Sequence, residues 1–111
     1  MRMHLDDEYF RKIKEGTKTI EVRLNDEKRR ELKVGDIITF DNRSSDEKLE
    51  ARVTNLYVYK NFEELYKHHG KKSLGYSKDD IASPADMNVY YETSDVIKYG
   101  VVAIEIKLKE E

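Results

Sequence analysis

From Val101 to Leu108 the apolar residues Val102, Ile104, Ile106 and Leu108 fall on every second position, with Gly100 just before them. The same period recurs from Lys18 to Leu24, where Ile20, Val22 and Leu24 alternate with Thr19, Glu21 and Arg23. A period of two sends successive side chains to opposite faces of extended backbone, so both segments are expected to be strands. The pattern constrains the fold strongly because 40% of the 111 residues are charged and only 38% are hydrophobic. With so little apolar material, a core has to be assembled from short strands and a few helix faces.

The remaining segments punctuate those strands. Met1 to Leu5 reads as a first strand, and Asp6 as the N-cap of a helix running to about Glu15, with Asp7 and Glu8 near its positive end. Phe10 and Ile13 share one face of that helix, and Gly16 fits the position just past its end. Asn25 to Lys33 is polar, a loop or short helix leading to the turn Val34-Gly35-Asp36 and a strand from Ile37 to Phe40. Asn42 to Lys48 is a polar, hairpin-like connection. Between Leu49 and Tyr59 the apolar parity switches from Leu49, Ala51 and Val53 to Leu56 and Val58, which a β-bulge near Thr54 or Asn55 explains. Asn61 and Glu64 have capping-box spacing for a short helix packing through Phe62, Leu65 and Tyr66, ended by Gly70. Ser83-Pro84-Ala85-Asp86 is a second helix start, after which Met87, Tyr90 and Tyr91 have the spacing of a buried stripe. Nothing in the chain resembles an internal repeat or a linker. The expectation is one domain over residues 1–111, α+β, with five or six short strands and two or three helices around a curved sheet or small barrel.

Composition narrows the chemistry. The absence of cysteine excludes disulfides and thiolate metal sites. His68 and His69 are adjacent, about 100° apart on a helix, and His4 is remote, so neither a metal nor a cofactor is expected. No apolar run approaches a membrane span, so the chain reads as soluble and cytoplasmic. Gln is absent and Lys and Glu are abundant, a composition leaning towards thermophilic proteins. The net charge of −2 argues against polyanion binding by global charge. Residues 9–33, however, carry nine Lys/Arg against five Asp/Glu, and residues 57–78 five against two. Residues 79–111 carry eight acids against three bases. If the two basic stretches meet on one face, a local anion-binding patch forms. Within them, Lys28, Arg29 and Arg30 are a charged surface or a groove margin, and Lys67, His68, His69, Lys71 and Lys72 a solvated loop or a phosphate contact.

Glu21 and Arg23 lie two residues apart on one strand face, about 6.6 Å apart along the chain, where long side chains can meet. Spacing alone leaves this pair as an exposed ion pair worth roughly 0 to 1 kcal/mol, or as part of a built site. The surrounding segment Gly16-Thr17-Lys18-Thr19-Ile20-Glu21-Val22-Arg23 resembles the G-x-K-x-x-E-x-R signature of ASCH domains of the PUA-like superfamily, matched by Gly16, Lys18, Glu21 and Arg23. The resemblance extends to Val34-Gly35-Asp36 and to Tyr99-Gly100-Val101-Val102-Ala103-Ile104. It implies a PUA-like β-barrel with the signature on a cleft rim and a role in RNA binding or RNA-linked catalysis. In that reading Arg23 and Lys18 contact a phosphate or base, Glu21 orients them, Gly16 lets a ligand approach the backbone, and Tyr59 and Tyr91 stack on bases. The alternative is a hydrolase acting on RNA or a modified nucleoside, with Lys18 and Glu21 as the catalytic acid/base pair. Related amidohydrolases acting on N4-acetylcytidine carry a threonine nucleophile where Glu21 stands, so that acyl transfer does not carry over. A third reading is an adaptor whose cleft binds a protein, with the acidic C-terminal half as the contact; in every reading the chain is expected to be a monomer.

Overall fold

The computed structural model describes residues 1–109. The elements in chain order are β1 (Arg2–Leu5), α1 (Asp7–Glu15), β2 (Ile20–Leu24), a 3₁₀ turn (Arg29–Glu31), β3 (Ile37–Asn42) and β4 (Lys48–Tyr59). They continue with α2 (Phe62–His68), a 3₁₀ helix (Pro84–Val89), α3 (Thr93–Tyr99) and β5 (Val101–Leu108). The strands form one curled sheet in the order β1-β3-β4-β5-β2, a half-barrel of the PUA-like kind. β1 runs parallel to β3, and the other neighbours are antiparallel.

Local chemistry explains most of the boundaries. Gly16 closes α1 in the left-handed conformation at φ 87°, which a residue without Cβ adopts at little cost. The Asn61 side chain accepts from the Glu64 amide to start α2, and Ser83 and Asp86 form a complete capping box. The parity switch in β4 is a register shift between Val53 and Asn55 against β5. Some expected boundaries differ. Asp6 occupies the N-cap of α1 but makes no side-chain cap bond. α2 ends at His68, two residues before Gly70, and the turn begun at Ser83 is 3₁₀. α3 was not anticipated, because its seven residues carry little periodic signal. Among the described residues no helix is long and apolar enough to cross a membrane.

Apolar residues pack on both faces of the sheet. One cluster joins Met3, Leu5, Phe10, Ile13, Ile38, Phe40, Val53, Val102, Ile104 and Ile106. A second joins Ile20, Phe62, Leu65, Leu74, Val101 and Ala103. β5 feeds the first cluster with its even positions and the second with its odd ones, so it is a central strand covered on both sides. β2 pairs with β5 so that Glu21 stands opposite Ile104 and Arg23 opposite Val102. Cross-strand partners share a face, so this edge strand turns two charged residues towards the main core. The curl brings β2 back towards β1, the other edge, where Arg23 Nη2 donates to the His4 carbonyl at 3.0 Å.

Candidate functional site

The site is built on β2 at that seam. Glu21 accepts from Arg23 Nε and Nη2 on one carboxylate oxygen, at 2.9 and 2.8 Å. Its other oxygen lies 3.4 Å from the Lys18 ammonium and accepts from the Val22 amide at 3.2 Å. The three side chains are only 4%, 8% and 14% exposed for Lys18, Glu21 and Arg23 respectively, so the surface-pair reading does not apply. Burial pulls the Lys18 ammonium below its ordinary pKa, against the opposing pull of Glu21. Burial pushes Glu21 upward, but the charges of Lys18 and Arg23 outweigh it and hold the carboxyl below its usual value.

Lys18 is anchored from two directions. Its ammonium donates to the Ile20 carbonyl at 2.7 Å and to the Leu74 carbonyl at 2.9 Å. The loop carrying Leu74 is tied down by the amides of Thr19 and Ile20, which both donate to Ser73 O, and by Lys12, which donates to Gly75 O at 2.6 Å. Gly75 has φ +102°, and a Cβ there would lie 2.9 Å from Lys18 Cδ, so glycine is required for this loop to close over the lysine stem.

Above the triad opens a cavity of about 280 Å³. Its walls are aromatic and basic: Tyr9, Tyr66, Tyr76, Tyr90 and Tyr91 line it, as do Arg29 and Arg43. Tyr91 stacks on Phe62 with ring centres 5.6 Å apart, which gives that wall a rigid backing. Tyr76 donates to Asp86 Oδ2 at 2.7 Å, and its own oxygen lies 2.9 Å from the Tyr66 hydroxyl. A carboxylate can only accept, so Tyr66 is the donor to Tyr76, and the chain of hydroxyls has one direction.

The structure brings Lys18, Glu21, Arg23 and Tyr91 to this cavity. It places Gly16 at the exposed end of α1 and Tyr59 elsewhere, with the Tyr59 hydroxyl 2.9 Å from His69 Nε2 and its ring stacked on His68. Neither lines the cavity. Tyr9, Arg43, Leu74 and Gly75 were not singled out by sequence reasoning as cavity residues. Arg29, expected within a basic run as charged surface or groove margin, lines the cavity. Ser73-Leu74-Gly75-Tyr76 has no periodicity, and its role rests on a contact to Lys18 more than fifty residues earlier. Among the described residues no cluster of three or more potential metal ligands occurs.

Comparison with known proteins agrees with this architecture. The family model of the ASCH domain matches residues 3–110. The chain belongs to the ASCH domain family. Two solved structures share the ASCH fold of this chain. A crystal structure of the hypothetical protein PH0355 is 37% identical with a TM-score of 0.82, covering 97% of each chain. A solution structure of protein PF0455 from Pyrococcus furiosus is 35% identical with a TM-score of 0.74, covering 99% of this chain and 97% of that one. None of the curated proteins matches the sequence. The segment from Gly16 to Arg23 runs from the end of α1 into β2, and its Lys18, Glu21 and Arg23 form the buried triad.

Proposed function

We propose that this ASCH domain is an RNA-binding module whose seam cavity takes a single nucleotide unit. The observation that carries the reading is one cavity joining a buried, cation-rich triad to a wall of tyrosines. Its volume of about 280 Å³ lies at the low end for ligand sites, which suits one base or nucleoside rather than a length of strand. Arg23 spends Nε and Nη2 on Glu21 and His4, and its Nη1 has no partner among the described residues. That group is free to donate to a ligand, and Tyr90 and Tyr91 provide aromatic surface for a base. Lys18 and Glu21 then work indirectly. With the Lys18 ammonium held by two carbonyls and Glu21 accepting on both oxygens, they fix the plane of Arg23.

Titration of labelled single-stranded and structured RNAs against wild type, Arg23→Ala and Tyr91→Ala tests the reading. Both variants are expected to bind at least tenfold more weakly, the effect of losing one charge-assisted hydrogen bond or one stacked base. Equal affinities in all three proteins, at unchanged thermal stability, remove the assignment.

A second reading, a hydrolase of RNA or a modified nucleoside, is favoured by one observation: burial lowers the pKa of Lys18 beside the cavity, the direction a proton acceptor needs. Glu21 fits that role poorly, since its lone pairs are occupied and its carboxyl is held in the weakly basic form. Product analysis with an RNA pool and acylated nucleosides, using Lys18→Met as control, decides; turnover no higher than the control rejects catalysis.

A further inference from the structure

Two cations in the triad share one carboxylate. With Lys18, Glu21 and Arg23 all ionised, one positive charge is left over beneath the cavity, and buried charge that is not balanced by the protein favours an anion beside it. Arg29 stands on the wall of the same cavity. Its Nη1 pairs with Asp26 Oδ2 at 3.2 Å, while its Nε is buried without any acceptor. Among the described residues it is the only buried side-chain nitrogen or oxygen so placed. Leaving a charged donor unpaired is costly, and native proteins keep few such groups without a functional reason. Tyr91 connects the two arginines, because its phenol lies within the electrostatic reach of both Arg23 and Arg29. Its hydroxyl, like Arg23 Nη1, has no hydrogen-bond partner among the described residues.

Asp6 also lines the cavity, 3.8 Å from Arg43, but the carboxylates beside Arg23 and Arg29 are already used. Glu21 takes Lys18, Arg23 and the Val22 amide, and Asp26 takes the Arg29 amide at 3.0 Å together with its guanidinium. What the wall presents is therefore a set of N–H and O–H donors carrying positive charge, the complement of an oxyanion.

We propose that Arg29, the unpartnered Nη1 of Arg23 and the Tyr91 hydroxyl form a phosphate subsite in the seam cavity, so that the ligand is held through phosphate oxygens as well as its base. This rests on the cavity being the ligand site, and it adds a binding residue, Arg29, that lies outside the signature segment. The phosphate is either the terminal group of a nucleotide or a bridging group of a strand.

Isothermal titration of the full chain with the four ribonucleoside 5′-monophosphates, the matching nucleosides and the four homodinucleotides tests the subsite in wild type and Arg29→Lys. A phosphate-bearing ligand is expected to bind at least tenfold more tightly than its nucleoside. Arg29→Lys, which keeps the charge but removes the planar guanidinium fork, is expected to lose roughly tenfold for that ligand and to leave nucleoside binding unchanged. Inorganic phosphate added to wild type is expected to compete with the phosphate-bearing ligand and not with the nucleoside, a readout that needs no variant to fold. Tightest binding by monophosphates identifies a terminal phosphate, and by dinucleotides a bridging one. Nucleosides binding as tightly as their phosphates, or an unchanged Arg29→Lys, overturns the subsite and leaves the cavity reading standing. Failure of every ligand to bind wild type overturns both.

Discussion

Glu21 is the residue on which the site turns, because a single carboxylate separates two buried cations. Removing its charge would leave Lys18 and Arg23 facing one another without an anion, so Glu21→Gln is expected to destabilise the domain by about 3 to 5 kcal/mol, as when one member of a buried charged network is lost. Urea unfolding measures this, and a loss under about 1 kcal/mol would mean that Lys18 is largely neutral in the folded state. Gly75 is the second residue whose identity the site demands. Gly75→Ala meets both an unfavourable positive φ and the Lys18 stem, and is expected to cost about 1 to 3 kcal/mol. The same change at Gly16, where nothing lies within 4 Å of the added Cβ, meets only the conformational part. A smaller loss at Gly75 than at Gly16 would contradict the loop closure described above.

At the scale of elements, β1 and β2 are the free edges of the sheet, and each is secured by charged side chains. Arg23 bridges them at one point of the seam. On the far side of β1, Asp41 of β3 receives Arg2 of β1 and Lys48 of β4, each at 2.6 Å, with His4 at 4.0 Å. Hydrogen bonds from Arg2 and then Lys48 hold the Asp41 carboxyl well below its ordinary 3.8. Glu21 is shifted the same way from 4.5. A carboxyl with a lowered folded pKa contributes stability that is complete above its unfolded value and lost as pH falls towards the folded one. Stability is therefore expected to decline as pH falls below about 4, starting near the unfolded carboxyl pKa values. Asp41→Asn should flatten that decline, which urea midpoints collected from pH 6 to pH 2 would reveal. A decline as steep as in wild type would show that the three-strand clamp plays no part in it.

For the molecule as a whole, the net charge of −2 and a cavity sized for one unit predict weakly salt-dependent binding. Each phosphate neutralised on a single strand contributes a slope of about −0.7 in log K against log salt, so one or two contacts give roughly −0.7 to −1.4. A slope steeper than about −3 would show that the basic segments around Lys28 and Lys71 also engage the backbone. Much of this molecule was legible in its residues, and the reason is range. The strand alternations at residues 20–24 and 101–108, the bulge before Asn55 and the caps at Asn61 and Ser83 all depend on neighbours within a few positions. The shared face of Glu21 and Arg23 followed from strand parity in the same way. What parity could not decide was that this face is buried. That depends on the sheet curling until β2 meets β1, on Leu74 and Gly75 closing over Lys18, and on Arg29 and Tyr91 arriving from separate segments. Local sequence thus determined which side chains stand together on β2, and only the tertiary structure, by removing them from water, decided that they form a buried triad rather than a surface ion pair.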